Sequence, residues 1–371
     1  MTVKKLALNC FRNFDFAALE LSPGTNVIYG ENAQGKTNLL EAVYMLTCGH
    51  SFRTRSDKEI IGFGCSGAEI LADIESHDRE QTVRIAMRNG AAKQITVNSV
   101  RKTESELSET LNAVLFSPED LGIIKDGAAA RRRLLDNAIC QLRPRYAEYL
   151  SQFNRFYESK TRILRDSEQK PSLMSMLDEF SDGMCLTSAQ LIRYRAAFTE
   201  RLQEKAAVIH SDFSGNGEQL GVSYKTVSTV KDPTGPVKEI YYDLCEHLER
   251  HRTDELNSRQ CLTGAHKDDL LISVNGSPAR SFASQGQTRT AALSLKLAER
   301  EIFLDETGEY PILLLDDVLS ELDRRRQEFV LNRIGGGQTL ITCCEDEGIS
   351  ERTGGRVLYV SGGNIKRVDI R

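Results

Sequence analysis

The 371-residue sequence predicts an α/β fold in which a compact helical lobe interrupts a head. Two motifs at opposite ends of the chain, and a change of periodicity between them, predict this organisation. Gly30–Thr37 matches the pattern GxxxxGK[ST] directly after an apolar segment, Val27-Ile28-Tyr29. Near the other end, the apolar segment 312–315 finishes in Asp316 and Asp317. If both motifs serve one nucleotide, the fold must bring together residues that most of the chain separates.

The periodicity of apolar residues predicts the remaining elements. Alternation predicts strands at 4–9 and 16–21, and 26–29 is predicted to be a buried strand that leads into the loop. A helix follows from Thr37, and further strands are predicted at 69–75, 82–87 and 94–97. After residue 118 the spacing becomes helical, with Pro144 at the first turn of a second helix. Helical patterns run to about residue 205 and return at 240–256, around a polar stretch at 211–236. We therefore predict a head formed by 1–117 and 262–371 and a mainly helical lobe at 118–261, without a long coiled-coil arm.

The first motif has the chemistry of a phosphate-binding loop. Its residues are Gly30, Glu31, Asn32, Ala33, Gln34, Gly35, Lys36 and Thr37. A glycine-rich turn between a strand and a helix directs backbone N–H groups at phosphate oxygens, and the helix dipole favours negative charge there. We predict that Lys36 binds the β- and γ-phosphates of ATP and that the Thr37 hydroxyl is a ligand of Mg²⁺. A chance match is the alternative, which the flanking strand and helix disfavour.

Asp316 and Asp317 end a strand that the sequence predicts to be buried. Two adjacent carboxylates are costly to bury unless a cation is nearby. We predict that Asp316 holds Mg²⁺ through water and that Asp317 orients or deprotonates the attacking water. Alternatively, the strand simply emerges into solvent at this point. Ser320 is predicted to be the N-cap of the next helix.

The segment Ser284-Gln285-Gly286-Gln287 begins a helical run before the acidic strand. A serine hydroxyl and a glycine backbone at a helix start suit a γ-phosphate, so we predict nucleotide contacts for Ser284, Gly286 and Gln287. A capped helix start would give the same pattern. The order of phosphate loop, S-x-G-Q and acidic strand favours the first interpretation. That order is typical of ABC-type P-loop ATPase heads, in which this segment completes the site of the partner subunit.

Composition argues against several other classes of protein. The net charge is −5, so any nucleic-acid binding must come from local clusters of Lys and Arg. Apolar runs stay shorter than the roughly 20 residues of a membrane helix, and the first residues lack a signal-peptide core, so we expect a cytoplasmic protein without a membrane partner. The nine scattered cysteines favour a reducing compartment over a disulfide framework or a zinc site.

Four further segments carry a family resemblance. They are Phe116-Ser117-Pro118-Glu119-Asp120-Leu121, Arg131-Arg132-Arg133-Leu134-Leu135-Asp136, Thr263-Gly264-Ala265-His266-Lys267-Asp268-Asp269 and Leu314-Leu315-Asp316-Asp317-Val318-Leu319-Ser320-Glu321-Leu322-Asp323. With the motifs above, the chain resembles the RecF family of bacterial recombination mediators, which is related to SMC heads, over essentially its whole length. Ala33 stands where that family often has glycine, a departure that removes no phosphate or metal ligand.

The resemblance implies an ATP-dependent homodimer that binds duplex DNA beside a single-stranded gap and works with RecR and RecO to load recombinase. It also implies that Arg12 and Asn13 approach the nucleotide, although a polar turn explains them equally well. A basic stripe on two helices would contact DNA, and a solvated, charge-balanced face is its alternative. The candidate residues of that stripe are Arg131, Arg132, Arg133, Arg143 and Arg145. His266, Asp268 and Asp269 are interpreted as structural hydrogen-bonding residues rather than catalytic ones.

The expected activity is a slow ATPase that works as a switch: ATP closes the dimer, and hydrolysis releases the DNA. The main alternative is the ATPase subunit of an ABC transporter. Such subunits usually have a far shorter insertion and a histidine after the strand that follows the acidic one, whereas 339–344 contains no histidine. An SMC-like clamp would need a long coiled coil, and a small-molecule kinase has no need of S-x-G-Q.

Overall fold

The computed structural model describes residues 1–54, 56–169, 171–344 and 348–368. The chain forms two compact units. The first unit comprises Met1–Gly122 and Arg289–Arg371, and the second comprises Ile123–Thr288. The sequence prediction had placed the lobe at 118–261, whereas this division also groups 262–288 with the helical unit.

The strands of the described ranges are β1 (Thr2–Phe11), β2 (Phe14–Glu20), β3 (Thr25–Tyr29), β4 (Gly67–Ser76), β5 (Arg79–Arg88), β6 (Gln94–Val97), β7 (Val100–Lys102), β8 (Ala113–Phe116), β9 (Leu220–Lys225), β10 (Asp269–Val274), β11 (Ser277–Pro278), β12 (Ile312–Asp316), β13 (Thr339–Cys343), β14 (Arg356–Ser361) and β15 (Asn364–Val368). The α-helices are α1 (Lys36–Cys48), α2 (Glu104–Leu107), α3 (Gly122–Lys125), α4 (Ala128–Leu142), α5 (Pro144–Asp166), α6 (Leu177–Ser214), α7 (Val237–Ser258), α8 (Ala279–Phe282), α9 (Gln285–Thr307), α10 (Arg324–Arg333) and α11 (Ile349–Thr353).

One sheet of the first unit has the strand order β15-β14-β3-β13-β12-β8. Strands β14, β3, β13, β12 and β8 run parallel, and β15 is an antiparallel edge strand. The strand that leads into the phosphate loop, β3, is therefore separated from the acidic strand, β12, by β13 alone. Because the carboxyl ends of parallel strands lie at one edge of a sheet, Lys36 and Asp316 come to the same edge.

The second sheet of this unit is antiparallel, in the order β2-β1-β4-β5-β6-β7. Its buried residues join those of α1 and of the parallel sheet in one hydrophobic core. Helix α1 is buried on nearly all sides, which explains why its sequence, Lys36–Cys48, is apolar beyond a single stripe. The phosphate loop is thus attached at both ends to elements that the core holds in place.

The second unit is mainly helical. The predicted break between two helices is confirmed, since α4 ends at Leu142 and α5 begins at Pro144. Its long helix α6 packs against α5, α7 and β9. Part of the polar stretch at 211–236, where no strand was predicted, forms β9. This strand pairs antiparallel with β10 in a three-stranded sheet.

Within the ranges described above, no helix is both long enough and apolar enough to cross a membrane.

Candidate nucleotide-binding site

Two glycines give the phosphate loop its path between β3 and α1. Gly30 has φ +152°, and a Cβ atom there would lie 2.2 Å from the carbonyl oxygen of Val360. Gly35 has φ +114°, and its Cβ would lie 2.7 Å from Oδ1 of Asn13. Any larger residue at either position would have to displace its neighbours. Ala33 also has positive φ, +64°, a conformation that is unfavourable for a residue with a Cβ.

Lys36 is the first residue of α1, and its side chain is buried beneath the loop. Its Nζ donates to the carbonyl oxygens of Gly30 and of Glu31, the latter at 3.0 Å. It also lies 3.8 Å from Sγ of Cys344, whose thiol donates to Asn32 at 3.1 Å. The ammonium group is therefore held inside the curve of the loop, where a phosphate would be bound.

The acidic strand reaches the loop through two hydroxyl groups. Thr37 Oγ1 donates to Oδ1 of Asp316 at 2.9 Å, and Thr342 Oγ1 donates to the same oxygen at 2.8 Å. Thr342 Oγ1 also accepts from the backbone N–H of Asp317 at 2.9 Å. Residues from β12, β13 and the start of α1 thereby converge on one carboxylate oxygen.

Asp316 is 7% exposed, and its burial raises the pKa of its carboxyl group. The hydroxyls of Thr342 and Thr37 lower that pKa, whereas the neighbouring Asp317 raises it. Burial is the largest of these effects, so the site favours a compensating positive charge. A hydroxyl and a carboxylate are hard oxygen ligands of the type that Mg²⁺ prefers. The residues present therefore fit Mg²⁺ held by Thr37 and Asp316.

A chain of side-chain amides supports the loop from outside. Asn13 Nδ2 donates to the carbonyl oxygen of Gln34 at 2.8 Å, and its Oδ1 accepts from Asn38 at 2.8 Å. Arg53 donates to Oδ1 of Asn38 at 2.7 Å. Gln34 in turn accepts from the backbone N–H of Gly362 at 2.6 Å. Asn13 was predicted to approach the nucleotide; in this structure it contacts the backbone of the loop.

Arg12 lies beside the loop but points into an ion pair. Its Nε and Nη2 donate to the two oxygens of Glu41 at 2.9 and 2.5 Å, and its Nη1 donates to the carbonyl oxygen of Glu59 at 2.6 Å. Glu41 belongs to α1 and is fully buried. The guanidinium group therefore links the end of β1 to α1, and a contact of Arg12 with nucleotide stays a prediction.

Ser284, Gly286 and Gln287 lie in the second unit, at the start of α9. The backbone N–H of Ser284 donates to Oε1 of Gln287 at 2.9 Å, and that of Gln287 donates to Ser284 Oγ at 3.2 Å. This reciprocal pair caps the helix. Ser284 is exposed, so its hydroxyl can also meet a ligand from outside.

Ser320 is not the N-cap of the helix after the acidic strand. It lies in a short 3-10 turn, Leu319–Glu321, and its hydroxyl donates to the carbonyl oxygen of Asp317 at 2.6 Å. Asp323 caps α10 instead, because its carboxylate accepts from the backbone N–H of Arg326 at 3.0 Å. The sequence prediction was wrong by one turn.

The predicted basic stripe loses one member. Arg131 is 5% exposed, and its guanidinium donates to both oxygens of Asp269 at 2.6 and 3.1 Å and to two backbone carbonyls. Buried and paired in this way, it cannot present its charge to DNA, and that part of the prediction is wrong. Arg132 is half-buried and donates to the carbonyl oxygen of Asp268 at 2.6 Å. The exposed members of the set are Arg133, Arg143 and Arg145.

The acidic residues of the segment 263–269 are fixed by hydrogen bonds within the second unit. Asp268 is fully buried and accepts from Arg195 at 2.8 Å, from Thr226 at 2.7 Å and from the hydroxyl of Tyr224. Burial raises the pKa of Asp268, and the charge of Arg195 opposes that shift. These contacts give the segment a packing role in this unit.

Sequence reasoning missed Thr342, Glu41 and Glu218, each of which fixes a residue of the site. Thr342 lies one residue before the end of β13, and its role appears only when β13 is placed between β3 and β12. Glu41 is one turn into the helix that follows the loop, where a buried carboxylate is a signal for a buried cation. Glu218 lies in a stretch without periodicity, and the sequence carries no signal for its partner, Gln287.

The sequence of this chain is similar to that of a known protein family. Residues 2–357 match the family described as RecF/RecN/SMC N terminal domain. A curated relative, the DNA replication and repair protein RecF of Acetivibrio thermocellus, is 38% identical over 97% of this chain and 98% of its own length.

Two solved structures share the fold over nearly the whole chain. One, described as the recombination mediator protein RecF-ATPrS in the RecFOR pathway, gives a TM-score of 0.92 at 32% identity, covering 99% of this chain and 98% of its own. Another, described as RecF-ATP in the same pathway, gives a TM-score of 0.90 at 32% identity, covering 99% of this chain and 97% of its own. They confirm the α/β head of the ABC-type ATPase class and the resemblance inferred from the motifs. The chain therefore belongs to the RecF family.

Proposed function

We propose that this protein is an ATP-dependent DNA-binding protein of replication and recombinational repair. ATP and Mg²⁺ would drive two heads together on DNA at a gap or a junction of single strand and duplex, and slow hydrolysis would release it. RecR and RecO would be its partners in loading recombinase. The protein would act in the cytoplasm. Membership in the RecF family supports this role over that of a transporter ATPase subunit.

The observation that carries the proposal is that the candidate phosphate-binding residues lie in two different units. Lys36, Thr37 and Asp316 meet in the first unit, where they fit a triphosphate and a divalent cation. In the second unit, Ser284 caps a helix and is an exposed residue. Each protomer would thus offer a phosphate loop and a separate helix start suited to phosphate, which is what two sites shared across a two-fold axis require.

Each residue has a defined task in that arrangement. Lys36 would neutralise the β- and γ-phosphates, and the backbone N–H groups of the loop would bind their oxygens. Bound Mg²⁺ would supply charge neutralisation at the phosphates, held by Thr37 and Asp316. Asp317, next to Asp316 and only partly buried, would orient the attacking water. Ser284 of the opposite protomer would donate to the γ-phosphate, so that ATP but not ADP bridges the dimer.

Dimerisation that depends on the γ-phosphate is the first property to measure. Sedimentation equilibrium of the wild type with Mg·ATP should show a dimer, and with Mg·ADP a monomer. Ser284→Arg should remain monomeric with Mg·ATP, because the larger cation blocks the shared contact. Its affinity for ATP should stay near that of the wild type, since Lys36 lies in the other unit.

Ser151→Arg is a matched control, because Ser151 is exposed on α5 of the same unit and receives the same substitution. It should dimerise as the wild type does. A wild-type protein that stays monomeric with Mg·ATP contradicts the proposed switch. Loss of nucleotide binding in Ser284→Arg would show instead that Ser284 serves its own protomer.

A further inference from the structure

Gln287 is held at both ends of its side-chain amide. Its Oε1 accepts from the backbone N–H of Ser284 at 2.9 Å, and its Nε2 donates to Oε1 of Glu218 at 2.8 Å. Glu218 lies in the connection between α6 and β9, far from α9 along the chain. A carboxylate from another element therefore contacts the first turn of α9.

The carboxylate decides which end of the amide faces Ser284. An ionised carboxylate only accepts hydrogen bonds, so it selects the NH₂ end of Gln287. The carbonyl end then turns toward Ser284, where it meets a backbone N–H. If the amide were reversed, two acceptors would face each other at Glu218 and two donors at Ser284. The charge of Glu218 thus sets the polarity of the cap.

The other contact of the same cap fixes the hydroxyl of Ser284. Ser284 Oγ accepts from the backbone N–H of Gln287 at 3.2 Å. This contact uses one lone pair of the hydroxyl, and the hydroxyl proton is left to donate. A donor on an exposed side chain at a helix N-terminus suits a phosphate oxygen.

Glu218 is itself fixed in position. Its backbone N–H donates to Ser214 Oγ at 3.1 Å, directly after the end of α6. Its second carboxylate oxygen, Oε2, lies 3.3 Å from Nε2 of His210, which is fully buried on α6. Burial lowers the pKa of His210 and Glu218 opposes that shift. The backbone of Glu218 is therefore anchored at the end of α6, which limits the freedom that its side chain loses when it orders Gln287.

We propose that Glu218 is a positioning residue for Ser284: through Gln287, it orients the serine hydroxyl toward the γ-phosphate bound by the opposite protomer. Glu218 itself touches no nucleotide. The proposal rests on the proposed function, because it assumes that Ser284 completes a shared site. It adds a residue outside the sequence motifs whose effect must pass through the serine.

A double-mutant cycle tests that dependence. We would measure the dimer dissociation constant with Mg·ATP for the wild type, Glu218→Ala, Ser284→Ala and the double variant. Glu218→Ala should raise the constant about tenfold, the effect of one charge-assisted hydrogen bond. In the Ser284→Ala background it should raise it less than about twofold. The nucleotide affinity of the monomer should be unchanged in Glu218→Ala.

The conservative variant Glu218→Gln keeps an acceptor oxygen for Gln287, so it should recover most of the dimer affinity. Glu200→Ala is the matched control, since it removes an exposed carboxylate from α6 of the same unit. It should dimerise normally. Melting temperatures identify any variant that fails to fold, in which case the Glu218→Gln cycle decides.

An equal effect of Glu218→Ala with and without the Ser284 hydroxyl would overturn the proposal, because Glu218 would then act on packing alone. Normal dimerisation of Glu218→Ala beside normal wild-type dimerisation would overturn it too, while leaving the shared-site switch intact. A wild type that fails to dimerise with Mg·ATP would instead refute the proposed function.

Discussion

The carboxylate of Asp316 is buried, an environment that is unfavourable for its charge. Its oxygen Oδ1 accepts from two hydroxyls, yet burial still raises the pKa of the group. A carboxyl whose pKa is higher in the folded than in the unfolded protein binds its proton more tightly when folded. Folding stability then decreases as the pH rises from the unfolded pKa through the folded one. At a pH above both pKa values, the nucleotide-free protein has lost the whole of this contribution to its folding stability.

We therefore expect Asp316→Asn to raise the melting temperature of the nucleotide-free protein at neutral pH. The amide oxygen can still accept from Thr37 and Thr342, and the buried charge is gone. The gain over the wild type should shrink as the pH falls through the folded pKa of Asp316. ATP turnover should be lost. Melting temperatures would be measured from about pH 4, near the ordinary pKa of an aspartate, to about pH 8.

Asp317→Asn is the control for that comparison, because Asp317 is only partly buried and its backbone N–H, not its carboxylate, contacts Thr342. Its melting temperature should rise less than that of Asp316→Asn at neutral pH, because it removes only the charge beside Asp316 and leaves the buried carboxylate in place. A lower melting temperature for Asp316→Asn at neutral pH would show that the carboxylate already has a stabilising partner.

Residues of the site differ in how far the sequence predicts them. Lys36, Thr37 and Asp316 are predictable because their chemistry fixes their local spacing. Thr342 is not, because a threonine at a strand end is common and its role appears only when β13 is placed between β3 and β12. The cap of α10 shows the same limit: Ser320 and Asp323 are both good N-cap residues, and backbone geometry selects Asp323.

Among the elements, α1 depends on the ion pair between Arg12 and Glu41. Arg12→Ala would leave Glu41 buried in α1, and removing one partner of a buried pair costs about 3 kcal/mol of unfolding free energy. Ser51 and Arg53 also contact Glu41 and would limit the loss. Denaturant unfolding should show this decrease, and adding Glu41→Gln should recover part of it.

The same variants also test whether Arg12 contacts the nucleotide. If Arg12 acts only through Glu41, the double variant should bind ATP about as well as the wild type. A double variant that regains stability but still binds ATP weakly would show that Arg12 contacts the nucleotide, as the family resemblance implies.

Elements were predictable where periodicity is strong. The alternation in β1, β4 and β5 and the proline at the start of α5 were sufficient for those elements. Strand β9 was missed because Leu220 and Val222 are the only strongly buried positions of a short segment among polar residues. Its pairing with β10, which begins more than 40 residues later, is a tertiary contact that no local pattern encodes.

For the whole molecule, DNA binding should depend on the exposed arginines. Replacing Arg133, Arg143 and Arg145 together with alanine should weaken binding to gapped duplex. It should also reduce the slope of log affinity against log salt concentration by up to about 3, since each phosphate contact contributes about 0.9. Fluorescence anisotropy over a range of salt concentrations provides the measurement.

Arg250→Ala is the control for the arginine set, because Arg250 is an exposed arginine of the same unit that pairs with Glu246 on α7. Its salt dependence should match that of the wild type. An unchanged slope in the triple variant would mean that these arginines form a solvated face and that DNA lies elsewhere.

The central claim is that Ser284 of one protomer serves the phosphate loop of the other, and mixing two inactive variants tests it most directly. Lys36→Met and Ser284→Arg would be mixed with Mg·ATP and gapped DNA, and ATP turnover measured. The control mixes each with the doubly substituted protein, which cannot form an intact site. We predict turnover above that of both controls and at most about half that of the wild type, because each mixed dimer has one intact site of two. Mixed dimers that form without any recovered turnover would contradict the shared site.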